Sequence, residues 1–190
     1  MPRPVEPRSR GEGMDHCNDC QFVYASVAMP ALFDRLRSFG PRYRDVLLVS
    51  DCPTSRDAAL RTRPEAGVWS ALEYACHVRD VFLMQRERLY TALVEDKPSF
   101  VPMYRDERPT LARYNDQAPE DVVAQLTMAA HLLAQSFRML APAQLERLCI
   151  YNFPEPAERP LLWVGRHCVH EGEHHLHDVK EVLGRVRAIT

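Results

Sequence analysis

The sequence predicts an all-α protein, an antiparallel four-helix bundle preceded by a flexible N-terminal tail. Three observations predict it: long stretches with apolar residues three and four apart, Pro-rich breaks between them, and little strand-like alternation. The division expected is a tail over residues 1–25 and a bundle over residues 26–190. At 190 residues the chain can bury a sizeable single core.

Met1–Gly13 is rich in Pro, Arg and Glu and lacks the apolar core of a signal peptide, so it reads as a disordered tail. The first helix is expected over about Val27–Ser50, with Gly40-Pro41 kinking or splitting it. Residues 51–68 read as loop. The second helix opens on a capping box, Ser70-Ala71-Leu72-Glu73, and runs to about Glu95. A polar connection, Lys97 to Gln117, is long enough to suggest a functional loop or lid. The third helix starts near Pro119 and ends near Leu140. Pro142–Leu148 suggests one extra turn, and Tyr151–Arg159, with Pro154 and Pro156, reads as loop. The last helix is expected over about Pro160–Val186.

Lys and Arg total 24 against 26 Asp and Glu, which gives no electrostatic case for nucleic acid or an anionic membrane as partner. No apolar run reaches the ~18–20 residues of a membrane span, so the chain is expected in the cytoplasm.

Five of the eight histidines lie between His167 and His177. At about 100° per residue, His170 and His174 sit about 40° apart on one helix face. Two imidazoles one turn apart reach one ion, and His77 on the second helix is the candidate third ligand. Three protein ligands leave a position open for water or substrate, as in a catalytic site. His167 and His177 lie near the same stripe, and His175 lies off it. Glu171 and Asp178 read as further ligands, as outer partners that fix a tautomer, or as solvated charges. Asp80, Tyr104 and Glu107 are the candidate substrate-binding residues, Asp80 one turn beyond His77 and the other two on the long connection. Cys17 and Cys20 have the spacing of half a zinc knuckle; a second metal, a redox pair and plain thiols all remain open.

Two segments, Trp69-Ser70-Ala71-Leu72-Glu73-Tyr74-Ala75-Cys76-His77-Val78-Arg79-Asp80 and His170-Glu171-Gly172-Glu173-His174-His175-Leu176-His177-Asp178, resemble the DinB superfamily, the bacillithiol and mycothiol S-transferase-like proteins. The resemblance spans roughly Ser26–Val186. It implies a four-helix bundle holding zinc, or nickel, through one His of the second helix and an i, i+4 pair of the last, here His77, His170 and His174. It also implies a frequently dimeric protein that uses a low-molecular-weight thiol, mycothiol being the one expected, against an electrophile. A non-catalytic metal-containing stress-response or binding protein and a metal-dependent hydrolase are the competing readings.

Overall fold

The computed structural model describes residues 12–13, 16–49, 53–152 and 155–189. It opens with a short antiparallel hairpin, β1 (Glu12–Gly13) and β2 (His16–Cys17), and a 3-10 turn at Tyr24–Ser26. Then come α1 (Met29–Leu47), α2 (Pro53–Arg61), α3 (Ala71–Val94), α4 (Arg108–Leu111), α5 (Pro119–Arg138) and α6 (Pro142–Leu145). A second hairpin, β3 (Leu148–Asn152) and β4 (Pro156–Pro160), leads into α7 (Leu161–Ile189). No helix among the described residues is long and apolar enough to cross a membrane.

The long helices α1, α3, α5 and α7 form the expected four-helix bundle. Both α1 and α3 pack against α5 and against α7, so α1 stands diagonally opposite α3. Two of the connections therefore cross the bundle: the one through α2, and the one through the β3–β4 hairpin. The core side of α1 is set by its spacing: Leu32, Leu36, Phe39, Tyr43 and Leu47, three or four apart, are all fully buried. Each such burial stabilises the fold by about 1.5–3 kcal/mol.

The start of α3 matters most for the site. The Ser70 hydroxyl accepts from the Glu73 N–H at 3.2 Å, and the Ser70 N–H donates to Glu73 Oε2 at 2.8 Å. Arg63 clamps the same carboxylate by donating from Nε and Nη2. The first turn of α3 is thereby fixed, and His77 follows one turn later on a buried face.

The structure corrects several sequence expectations. Gly40-Pro41 neither splits nor ends α1, which runs through Pro41. Proline removes one backbone donor there, but Gly40 lets α5 come close: a Cβ at Gly40 would lie 2.7 Å from Thr127. Residues 53–61, read as loop, form α2. The segment read as loop around Pro154 and Pro156 is flanked by paired strands. Pro156 and Pro160 are compatible because both lie on β4, an edge strand that needs no donor at every residue. The expected tail over Met1–Gly13 lies mostly outside the described residues, except that Glu12 and Gly13 pair with Cys17 and His16. Within the same N-terminal segment Cys17, Phe22 and Tyr24 are buried.

Gly172 of α7 sits against the Phe39 ring of α1, and a Cβ there would collide with it. The Tyr43 hydroxyl donates to the Gly172 carbonyl at 3.1 Å from the same helix. Gly172→Ala must push α7 from α1 or force Phe39 off its rotamer. It is expected to destabilise the fold by about 1–3 kcal/mol, read as a lower urea midpoint with unchanged slope.

Candidate metal centre

Glu171 lies at the middle of the site. Its Oε2 is 3.5 Å from His77 Nε2 and 3.5 Å from His175 Nε2. Its Oε1 is 3.6 Å from His167 Nε2 and 3.7 Å from His170 Nδ1. These distances exceed a good hydrogen bond but match the edge of a coordination tetrahedron, about 3.4 Å for bonds of about 2.1 Å. His77, Glu171 and His175 thus converge as three donors from two helices. The set suits a divalent ion: two imidazoles and a carboxylate, leaving room for a further ligand.

The orientation of His175 is built in. Its Nδ1 is 2.8 Å from Asp178 Oδ2, one turn on, which directs Nε2 toward Glu171. The Tyr74 ring stacks on His175, with centroids 5.3 Å apart. The Trp69 ring lies 5.1 Å from His77. Arg105 lies over Trp69 at 6.0 Å, so the long connection brings a positive charge to the rim.

Electrostatics follow from this packing. Burial pushes the Glu171 carboxyl up, but the imidazoles of His175 and His77 outweigh it and hold the group well below the usual carboxylate range. Burial pushes His175 down, yet Asp178 and Glu171 overcome that and raise it to about 9. Burial lowers His77, keeping it neutral and able to donate a lone pair.

The structure does not bring His77, His170 and His174 together. His77 faces Glu171 and His175, whereas His170 and His174 face Cys17 and Cys20. The reason lies in the helix. Glu171 and His175 form a second i, i+4 pair, rotated about 100° from His170 and His174, and this pair is turned toward α3. A signal was present: Leu161, Val164, Cys168, Glu171, His175, Val179, Val182 and Val186 recur every three or four residues, and their apolar members are buried.

The candidate substrate residues fare differently. Asp80 is occupied by Arg79 Nε at 2.8 Å, Arg108 Nη1 at 3.2 Å and the Tyr114 hydroxyl at 2.7 Å. Since Arg108 and Tyr114 belong to the long connection, Asp80 anchors that connection to α3. Tyr104 is exposed with a left-handed φ of 53°. Glu107 begins α4, its carbonyl accepting from Thr110 and Leu111.

The sequence profile of the DinB superfamily matches residues 46–179, well over half of the chain. The chain belongs to the DinB superfamily. Two solved structures resemble this DinB member. One is YfiT from Bacillus subtilis, described as "a probable metal-dependent hydrolase with an unusual four-helix bundle topology", with 17% identity, a TM-score of 0.72 and 93% of each chain covered. The other is a mycothiol-dependent maleylpyruvate isomerase, with 14% identity, a TM-score of 0.64, and 83% of this chain but 63% of that one covered. At these identities both establish the bundle fold. A search of proteins with curated function finds no match.

Proposed function

We propose that this DinB member is a metal-dependent thiol transferase, in which His77, Glu171 and His175 hold a divalent ion, zinc first and nickel second. The observation that carries the reading is the three-donor set around Glu171 Oε2, with the Trp69 and Tyr74 rings packed against its two histidines. Three protein donors leave a position for a small co-substrate. When bound, the ion lowers the pKa of a coordinated thiol, ordinarily about 8–9, so that thiolate is available at neutral pH. The residues supply the rest. His77 presents a neutral nitrogen, His175 gives up its Nε2 proton to the incoming ion while its Nδ1–H donates to Asp178, and Trp69 and Tyr74 keep bulk water from one side. Arg105 suits a carboxylate on the thiol or the electrophile. The similarity to a mycothiol-dependent enzyme supports mycothiol as the thiol.

A metal-dependent hydrolase is the second reading, favoured by the mutual 93% coverage with YfiT. One experiment separates them. Metal-loaded protein is incubated with mycothiol, bacillithiol or cysteine plus monobromobimane, and separately with activated esters and amides. Conjugation that vanishes on chelation and returns with zinc or nickel is expected. Ester or amide hydrolysis without any thiol would transfer the assignment to a hydrolase. The absence of both activities would leave a metal-containing binding protein.

A further inference from the structure

We propose that Cys17, Cys20, His170 and His174 bind a second ion, a structural zinc that pins the N-terminal hairpin to α7. The four donor atoms lie within 4.8 Å of one another. His174 Nδ1 is 3.8 Å from Cys17 Sγ. Bonds of about 2.3 Å to sulfur and about 2.1 Å to nitrogen, at tetrahedral angles, put those two atoms about 3.6 Å apart.

The turn is shaped for the task. Cys17 ends β2, residues 18–20 reverse the chain, and Gln21 takes a left-handed φ of 58°. The Cys17 N–H then donates to the Phe22 carbonyl at 2.8 Å, closing the loop with both thiols directed at α7. Both cysteines are free thiols.

A separate observation comes from α7. His170 is only 3% exposed, and its Nε2 is buried with no hydrogen-bond partner. Its Nδ1 lies 3.2 Å from the Tyr24 hydroxyl, which also lies 2.9 Å from His167 Nδ1. One phenol hydrogen serves one of these contacts. Donation to His167 and acceptance from the His170 Nδ1–H satisfies both rings and leaves the His170 Nε2 lone pair free for an ion. His174 is arranged the other way round, with Nε2 facing Asp178 Oδ2 at 3.6 Å and Nδ1 toward Cys17.

Charge balances as well. Two thiols release their protons to solvent, and two thiolates with two neutral imidazoles neutralise one dication in a mostly buried place. Four protein ligands close the site, which marks it as structural beside the three-donor centre at His77. Asp178 faces His175 of one centre and His174 of the other, so the two share a support.

The test uses the full chain loaded with zinc or cobalt. Elemental analysis is expected to find about two ions per chain, and about one after either His77→Ala or the pair Cys17→Ser with Cys20→Ser. The cobalt form of wild type and of His77→Ala should show thiolate-to-cobalt charge-transfer absorption, and the serine pair should lack it. A cobalt-loaded wild-type protein without such absorption, a metal content that the serine pair leaves unchanged, or a Cys17–Cys20 disulfide would overturn the proposal. If the serine pair does not fold, wild type carries the test alone. Peptide-mapped alkylation should find Cys17 and Cys20 shielded with zinc and reactive after chelation, and equal labelling in both states would sink the assignment.

Discussion

His175→Ala is expected to remove the ion from the His77 centre and with it the metal-dependent activity, whereas His174→Ala should cost far less activity. Loss of an outer partner of a ligating histidine typically lowers metal affinity or activity about 10–100-fold, so loss of the ligand itself should exceed that. His175 is placed by two independent contacts, Asp178 on Nδ1 and Glu171 beyond Nε2. His174 reaches instead toward Cys17. Removing His175 also strands two carboxylates that are largely buried, and breaking such a pair costs about 3–5 kcal/mol in the metal-free protein. His175→Gln keeps a polar group of similar reach and should fold while still losing the ion. Metal content and thiol conjugation measured on all three variants decide the point. Equal losses from His174→Ala and His175→Ala, in folded protein, would return the active ion to the stripe of His170 and His174.

What was legible in the sequence follows from which interactions are local. The Ser70–Glu73 capping box is contained in four consecutive residues, and it starts α3 where the sequence places it. Pro119 likewise opens α5. The choice between two neighbouring i, i+4 pairs on α7 was not local. It depends on the rotation of α7 about its axis, which Gly172 against Phe39 and the buried row from Leu161 to Val186 determine. The histidines stand out in the sequence because five of them lie between His167 and His177, while Glu171 reads equally as a ligand, an outer partner or a solvated charge. Only its burial among four imidazoles distinguishes it. The β3–β4 hairpin was hidden because strand pairing is a relation between segments, and Pro156 and Pro160, the two ends of β4, resemble the prolines of an open loop. Cys17 and Cys20 were visible as a pair, but their partners lie about 150 positions away along the chain.

Glu171→Gln is expected to lower zinc affinity at the His77 centre by at least about 100-fold, since it removes the one anionic ligand while keeping its volume. The wild-type pH dependence follows from the same carboxylate. In the metal-free protein burial pushes His175 down, and Asp178 and Glu171 together raise it to about 9. That raised value stabilises the metal-free fold fully below about 6.5, the unperturbed histidine value, and the contribution is lost as pH rises through about 9. Metal binding runs the opposite way, because the ion must displace the proton from His175. Affinity should therefore climb with pH, by up to about tenfold per unit, and level off near 9. With glutamine at 171, His175 keeps only Asp178 as a charged partner, so the levelling point should move to lower pH. Competition titrations against a chelator across pH, corrected by the His77→Ala protein for the ion held elsewhere, measure both effects. An unchanged affinity together with an unchanged levelling point would show that Glu171 neither touches the ion nor sets the charge of His175, and the centre would have to be sought at another cluster.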